Sequence, residues 1–474
     1  MSVDWTTVQK SISEEWDKSV VPTLSAYTEI PNQSPNYDKE WATNGLMEKA
    51  MNVLVEWAKA QPIKGLKYEL VEEKGRTPFL FVEIEGTEPT ANTLLMYGHM
   101  DKQPPLLPWA EGLHPYKPVY RDGKLYGRGT ADDGYAIFSA LTAVAAVQKQ
   151  GLPHGHIVTI IEACEESGST DLSYYLDRFK SQIGNVDMLI CLDSGAMNYD
   201  QLWLTTALRG VSGGVLTVET MREGMHSGIS GGVIPDTFRI ARILLDRIED
   251  ASTGEVKIPE AHCTIPETVI KSMKTMNEVQ FKEQYPLLPG VSSEPGDNAE
   301  LALRNSWKPC LTVTGANLPP TATAGNVIRA KTTLRLSLRL PPLADANVAT
   351  EAMKKILTAN PPYGAKVCFE PDIAGFGCAT PELKPWLATA LAEGSQTAFG
   401  KPFASQGMGG SIPFIAMLLK KFPAAQFIIT GVLGPMSNAH GPNEFLHVPF
   451  AKGITLCVAR MIADHFHATP KIGK

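Results

Sequence analysis

Two histidines and several carboxylic acids occupy positions where an apolar segment ends or an apolar helix begins. These residues are His99, Asp101, Asp132, Asp133, Glu165, Glu166, Asp193 and His440. Imidazole nitrogen and carboxylate oxygen suit Zn²⁺ or Mn²⁺, and a divalent cation removes the repulsion between clustered carboxylates. Each residue alone has a plain structural explanation, such as a helix cap for Asp132. The set as a whole predicts a metal site.

The number of ligands favours two ions over one. If Asp132 bridges the pair, one ion takes His99 and Asp193. The other ion takes Glu166 and His440. Each ion then has one imidazole and two carboxylates, which leaves a coordination position for water, as catalytic sites require.

Glu165 is the carboxylate that this allocation leaves over. It stands next to a ligand, where it can take a proton from water held between the ions. The neighbouring Cys164 is interpreted as a small buried apolar residue rather than a nucleophile, because no partner histidine is identifiable.

An α/β framework is needed to bring these residues together. Short apolar segments alternate with helical patterns, with strands expected at 79–84, 93–97, 156–161 and 188–192 and helices at 47–58 and 135–148. This alternation is typical of a mainly parallel sheet with helices on both faces. Ligands of such sheets bind beyond the carboxyl ends of the strands, which is where the acids and histidines fall.

The pattern changes in the middle of the chain. Residues 213–219 and 332–340 alternate apolar and polar positions, which is typical of a sheet with one solvated face. The Pro-containing stretch 251–320 is expected to be irregular. The sequence therefore predicts an α/β catalytic domain interrupted by an inserted α+β domain, with boundaries at 1–206, 207–380 and 381–474.

Composition excludes several classes of partner. The 474 residues include 43 Lys+Arg and 50 Asp+Glu, for a formal net charge of −7, so there is no basic field for nucleic acid. The longest apolar runs reach about eight residues, whereas a membrane span needs about twenty. The polar N-terminus lacks the apolar segment of a secretory signal. The seven cysteines form no CxxC pair and are expected to be reduced, buried thiols of a cytoplasmic protein.

Other signals are discounted. GRGTAD at 127–132 begins like a dinucleotide fingerprint, but Asp132 occupies the position of the last required glycine. The pairs His154/His156 and His465/His467 are not accompanied by a set of carboxylates and are interpreted as solvated.

Motifs along nearly the whole chain carry a family resemblance. They are YGHMDKQP (97–104), DGKLYGRGTADD (122–133), EESGS (165–169), HSGISGG (226–232), LSLRLPP (336–342) and GGSIPF (409–414). Their order and spacing resemble the co-catalytic two-zinc metallopeptidases that include carnosine and cytosolic nonspecific dipeptidases, carboxypeptidase G and the aminoacylases. The dipeptidase branch is the most similar.

The resemblance implies the same ligand allocation, with Asp132 as the bridge. It also implies that Asp101 hydrogen-bonds His99 and fixes its tautomer, and that the peptide bond between Asp132 and Asp133 is cis. One departure is the sequence Asp-Asp-Gly-Tyr at 132–135, which lacks the lysine that relatives commonly carry there.

For the inserted domain, the resemblance implies a lid that also forms a homodimer. His226 is then expected to enter the partner's active site and stabilise the oxyanion. Arg339 is expected to bind the free carboxylate of the substrate, assisted by Ser411. From alternation alone, an outward-facing charge on a strand is the preferred interpretation of Arg339.

These observations predict metal-dependent hydrolysis of the amide bond of dipeptides or short peptides, with Glu165 as general base for a water that bridges two Zn²⁺ or Mn²⁺ ions. One alternative is an N-acyl-amino-acid amidohydrolase, which differs mainly in the lid pocket. Another is a non-catalytic scaffold that keeps the metal for stability.

Overall fold

The computed structural model describes residues 3–279, 281–285, 287–410 and 413–472. Its helices, in chain order, are α1 (Trp5–Glu15), α2 (Val21–Thr28), α3 (Leu46–Lys59), α4 (Ala136–Lys149), α5 (Leu172–Arg178), α6 (Lys180–Ile183), α7 (Ser227–Ser230), α8 (Thr237–Leu245), α9 (Glu267–Met273), α10 (Asn298–Ser306), α11 (Ala346–Thr358), α12 (Pro385–Phe399), α13 (Pro413–Lys421) and α14 (Val448–Ala468). None of the helices in the described part of the chain combines the length and the apolar composition needed to cross a bilayer.

The strands lie between these helices in the sequence. They are β1 (Leu66–Val71), β2 (Phe79–Ile84), β3 (Thr93–His99), β4 (Val119–Arg121), β5 (Lys124–Tyr126), β6 (His156–Glu162), β7 (Val186–Cys191), β8 (Trp203–Leu208), β9 (Gly210–Glu219), β10 (Met225–His226), β11 (Cys310–Ala316), β12 (Val327–Ile328), β13 (Lys331–Leu340), β14 (Lys366–Gly375), β15 (Cys378–Ala379), β16 (Ala404–Met408), β17 (Gln426–Ile429) and β18 (Phe445–His447).

The main sheet has the strand order β1-β2-β6-β3-β7-β17. Strands β6, β3, β7 and β17 run parallel to one another, whereas β1 and β2 add antiparallel pairs at one edge. The expectation of an α/β fold with a mainly parallel sheet is confirmed. Strand β3 extends two residues past the predicted end, because Gly98 and His99 continue to pair with Ile161 and Glu162 of β6.

The sheet is covered on both faces, as continuous apolar strands require. Successive side chains of a strand point to opposite faces. Thus Leu94 and Met96 of β3 belong to the core cluster that includes α3, α4 and α14. Their neighbours Leu95 and Tyr97 belong to a second cluster, which includes α5 and α13. The carboxyl ends of β3, β6 and β7 are therefore held rigidly at one edge of a buried layer.

A second, antiparallel sheet has the order β11-β13-β9-β14. One face of β13 carries leucines such as Leu336 and Leu338, which pack with α8 and α11 in a third core cluster. The opposite face carries Arg335, Ser337 and Arg339, which are not fully buried. The period-two alternation predicted for both 213–219 and 332–340 therefore falls on neighbouring strands of this sheet.

The expectation of an irregular stretch at 251–320 is wrong, because α9, α10 and β11 lie within it. Helix α10 has a local start signal, since the Asp297 side chain accepts a hydrogen bond from Glu300 N at 2.8 Å. Trp307 and Met273 from this stretch join the same core cluster as α3, α4 and α14. Burial of these side chains stabilises short helices that the frequent prolines and glycines obscure in the sequence.

Candidate metal centre

The predicted ligands lie at the carboxyl edge of the main sheet and on the loops beside it. His99 is the last residue of β3, and Asp193 lies two residues beyond β7. Glu165 and Glu166 lie in a single 3₁₀ turn, Glu165–Ser167, just after β6. Because these strands are parallel neighbours, their ends meet at one edge.

Asp132 contacts both histidines. Its Oδ1 lies 3.3 Å from His99 Nε2, and its Oδ2 lies 3.0 Å from His440 Nε2. His440 Nε2 is also 3.2 Å from Glu166 Oε2, and His99 Nε2 is 3.9 Å from Asp193 Oδ2. Two sets of potential ligand atoms thus meet at Asp132, and the atoms of each set lie within 4.8 Å of one another.

Glu165 lies beside the first of these sets. Its Oε2 is 4.0 Å from His99 Nε2. Potential ligand atoms of His99, Glu165 and Glu166 also lie within 4.8 Å of one another. Burial and the nearby Asp193 raise the pKa of Glu165 well above its usual value.

The electrostatics of the cluster fit divalent cations. Burial raises the pKa of Asp193 to about 7, reinforced by Asp132 and Glu166 and opposed by His99. For His440, burial lowers the pKa, but hydrogen bonds with Asp132 and Glu166 raise it to about 11 overall. The side chains therefore favour added positive charge.

Glu166 supplies an independent observation on this fit. Its Oε1 is buried and has no hydrogen-bond partner among the described residues, whereas Oε2 accepts a hydrogen bond from Gln103 Nε2 at 2.7 Å. A buried carboxylate oxygen needs a partner, and a cation satisfies it. The donor set fits an ion at this position.

Asp101 holds the backbone of the Glu165–Glu166 turn and the ring of His99 by hydrogen bonds. Its carboxylate accepts hydrogen bonds from Glu165 N at 3.1 Å and Glu166 N at 3.0 Å. The Asp101 carbonyl oxygen accepts from His99 Nδ1 at 3.1 Å, and Asp101 Oδ1 lies 3.4 Å from the same nitrogen. With its proton on Nδ1, His99 presents Nε2 as a ligand atom.

The peptide bond between Asp132 and Asp133 is cis, as the resemblance implies. Asp133 itself turns away from the ligand sets, and its Oδ2 accepts a hydrogen bond from His99 N at 3.2 Å.

Two further site predictions concern His226 and Ser411. His226 is exposed on β10, where its Nδ1 accepts a hydrogen bond from Gly228 N at 3.0 Å, and it belongs to none of the metal groups formed by the described residues. Ser411 lies outside the described residues.

Arg339 projects from the open face of β13 into a cleft of 810 Å³ between the second sheet and α13. Burial and the nearby Arg209 guanidinium lower the pKa of Arg339. Arg209 Nε in turn donates to Gly409 O at 3.0 Å. Arg339 on β13 and Arg209, in the connection between β8 and β9, therefore lie near one another.

Sequence reasoning missed Gln103, Arg128, Arg209 and Glu444. Arg128 lies in the motif that contains Asp132, and Glu444 lies four residues after His440. The closeness of Arg128 and Glu444 to proposed ligands in the sequence was the only local signal for these two residues. Their pairing could not be predicted, because they are 316 residues apart.

The interpretation of the HxH pairs as solvated is wrong for most of their members. His154 and His465 are buried. His465 Nε2 lies 2.6 Å from Asp187 Oδ1. His156 is partly buried, and its Nε2 lies 3.1 Å from Glu83 Oε1.

An α/β sheet that gathers two histidines and an acid cluster around a shared aspartate fits a metal-dependent hydrolase. Residues 95–464 match the family model of Peptidase family M20/M25/M40, and the chain belongs to this family. It is a metallopeptidase.

Individual relatives agree with this assignment. The chain is 30% identical over 380 residues to the cysteinylglycine-S-conjugate dipeptidase of Corynebacterium striatum. The aligned region covers 76% of this chain and 80% of that protein. It is 28% identical over 274 residues to the human Beta-Ala-His dipeptidase, with 56% and 53% covered.

Solved structures show the same fold. The di-peptidase Dug1p from Saccharomyces cerevisiae superposes with a TM-score of 0.73 at 22% identity, covering 99% of this chain and all (100%) of that chain. The metallo-carboxypeptidase Sso-CP2 from Sulfolobus solfataricus gives a TM-score of 0.74 at 19% identity, covering 94% and 100%.

Proposed function

We propose that this enzyme hydrolyses the peptide bond of dipeptides or short peptides that have a free C-terminal carboxylate. The observation that carries the proposal is the division of the Asp132 carboxylate between His99 and His440. Relatives named as dipeptidases for Cys-Gly and Beta-Ala-His substrates support the substrate class.

The residues proposed to hold the ions form two sets that share Asp132. His99 and Asp193 complete one set, and Glu166 and His440 complete the other. When bound, Zn²⁺ or Mn²⁺ ions supply Lewis acidity to the scissile carbonyl and to the attacking water. The imidazole and carboxylate donors are compatible with either metal.

Glu165 is proposed to move the proton. Its Oε2 accepts the proton of the attacking water and then delivers it to the nitrogen of the leaving amine. The 4.0 Å distance between Glu165 Oε2 and His99 Nε2 supports this role, because it places the carboxylate beside the first set of proposed ligands. Asp101 holds the Glu165 backbone in place.

Arg339 is proposed to bind the C-terminal carboxylate of the substrate. A guanidinium group matches a carboxylate with two parallel hydrogen bonds. The position of Arg339 in the cleft between the second sheet and α13 supports this role, and the nearby Arg209 adds positive charge. Ser411 is proposed to assist at the same end of the substrate.

The inserted segment, residues 207–380, is proposed to act as a lid and to form a homodimer. Apolar side chains around His226 support a covered surface, since Ile229 is 75% exposed and Val233 is 78% exposed. In such a dimer His226 reaches the partner's active site and stabilises the oxyanion.

A reducing, cytoplasmic location is also proposed. The seven cysteines are free thiols. Contrary to the expectation of burial, Cys368 is exposed, and Cys263, Cys310 and Cys378 are partly exposed. An exposed free thiol is typical of a reducing compartment.

A substrate screen after chelation tests the proposed function. The stripped enzyme is reloaded with Zn²⁺ or Mn²⁺ and assayed with dipeptides, the same dipeptides amidated at the C-terminus, and N-acetyl amino acids. We expect turnover of free dipeptides and little turnover of the amidated forms. Preference for N-acetyl amino acids would instead identify an amidohydrolase, and no turnover of any substrate would identify a scaffold.

A further inference from the structure

A buried ion pair joins the two loops that carry Asp132 and His440. Arg128 Nη1 donates to Glu444 Oε2 at 2.6 Å, and both side chains are almost completely inaccessible to solvent. Arg128 lies four residues before Asp132, and Glu444 lies four residues after His440. Each partner of the ion pair is thus attached to a different ligand loop.

The Glu444 carboxylate also binds the backbone that leads to Asp132. Its Oε1 accepts hydrogen bonds from Gly129 N at 3.1 Å, Ala131 N at 3.1 Å and Asp132 N at 3.2 Å. A carboxylate that accepts several amide hydrogens of one short segment fixes the conformation of that segment. The backbone of the shared ligand is therefore held by a residue from the other loop.

Arg128 makes the reciprocal contact. Its Nη2 donates to Gly441 O at 2.6 Å, directly after His440. A main-chain hydrogen bond from Gly127 N to Glu444 O at 2.9 Å closes the connection between the loops. His440 itself has a positive φ of 62°, so its backbone conformation needs support from its surroundings.

Stability alone is a poor explanation for this arrangement. Buried ion pairs are costly to desolvate, and apolar side chains of similar volume are often equally stabilising. The ion pair instead fixes the position of the Asp132 loop relative to the His440 loop. Asp132 Oδ2 and His440 Nε2 lie 3.0 Å apart across these two loops.

We propose that Arg128 and Glu444 are positioning residues for the metal centre, which hold Asp132 and His440 at the separation needed to share one ion. The inference rests on the metal centre described under the proposed function. It does not depend on the identity of the substrate.

Metal titration of the full chain tests this role without substrate. Wild type and Glu444→Gln are stripped with a chelator and titrated with Zn²⁺ against a chromogenic competitor. We expect wild type to bind two ions per chain, and Glu444→Gln to bind one of them about 10- to 100-fold more weakly. Glutamine is neutral and replaces one acceptor oxygen with an NH₂ group in either orientation, so the ion pair is lost while the side-chain volume is retained.

Asp187→Asn is the matched control. Asp187 is a partly buried carboxylate on β7 that accepts hydrogen bonds from Asn92 Nδ2 at 2.7 Å and from His465 Nε2 at 2.6 Å. It lies at the strand end opposite the ligands. We expect its affinity for both ions to equal that of wild type.

Thermal unfolding separates positioning from general stability. If Glu444 were merely structural, Glu444→Gln would lower the Tm of the stripped and the loaded protein equally. Positioning predicts a smaller metal-induced rise in Tm for Glu444→Gln than for wild type. Arg128→Lys keeps the positive charge but cannot make both hydrogen bonds of the guanidinium group, to Glu444 and to Gly441 O. It is measured in parallel and replaces Glu444→Gln if that variant does not fold.

The outcomes are distinguishable. Wild type that binds fewer than two ions overturns the metal centre itself. Wild type that binds two ions, together with Glu444→Gln and Arg128→Lys variants of unchanged affinity, overturns the positioning role and leaves the metal centre intact.

Discussion

The carboxylate of Asp132 is divided between two histidines, with Oδ1 3.3 Å from His99 Nε2 and Oδ2 3.0 Å from His440 Nε2. His99 ends a buried strand, whereas His440 lies on a loop after β17. One side chain therefore couples the rigid edge of the main sheet to a separate loop. This coupling leads to unequal effects when individual ligands are removed.

Asp132→Ala is expected to abolish tight binding of both ions, because both ligand sets lose a member. His440→Ala is expected to weaken one ion and to leave the other bound by His99, Asp132 and Asp193. Metal content after desalting measures the difference. Equal loss of metal in the two variants would contradict the bridging role of Asp132.

Glu165→Gln is expected to retain both ions and to lower kcat roughly 10²- to 10⁴-fold, because proton transfer is removed while the ligands remain. Metal content and turnover are measured on the same sample. Near wild-type turnover would show that another group acts as the base. Loss of metal would show that Glu165 is a ligand, as its 4.0 Å approach to His99 Nε2 permits.

Arg339→Met is expected to lower kcat/KM for dipeptides with a free carboxylate roughly 10- to 150-fold. This range corresponds to the loss of a charge-assisted hydrogen bond worth about 1.5–3 kcal/mol. The residual rate with C-terminally amidated dipeptides should not change.

Arg335→Met is the control for this experiment. Arg335 lies on the same face of β13 and pairs with Asp372 at 2.7 Å. We expect it to leave kcat/KM unchanged. Equal losses in both variants would indicate a general effect of positive charge in the cleft rather than a specific carboxylate site.

Mixing two inactive variants tests the contribution of His226 across a dimer. Asp193→Asn has defective metal sites, and His226→Ala lacks the exposed imidazole. Each mixed dimer contains one site with intact ligands and an intact partner histidine. An equal mixture should recover about one quarter of wild-type activity, since half of the dimers are mixed. Activity that stays at the sum of the separate variants would rule out a shared site.

Much of the fold and the positions of the proposed ligands follow from local patterns. Apolar runs such as 93–97 identify strands, and the polar residues after them identify the edge where ligands gather. Each such pattern occupies about ten residues of chain. Strands and the polar residues that follow them can therefore be predicted without knowledge of the rest of the fold.

The roles that escaped prediction depend on distant partners. His465 pairs with Asp187, which is 278 residues away, and so its acidic neighbour is invisible in the local sequence. The Arg128–Glu444 pair spans 316 residues. From sequence alone, charged and imidazole side chains are predicted to be solvated. They can be buried only where the fold supplies a hydrogen-bonding or charged partner, which the local sequence does not show.

The open face of β13 has a consequence for substrate length. Same-face positions 335, 337 and 339 recur every second residue, at intervals of about 6.7 Å. An extended peptide advances about 3.3 Å per residue, so one interval equals about two residues of substrate. If Arg339 is the carboxylate anchor, as proposed, moving the anchor along β13 would change the accepted peptide length in discrete steps of about two residues.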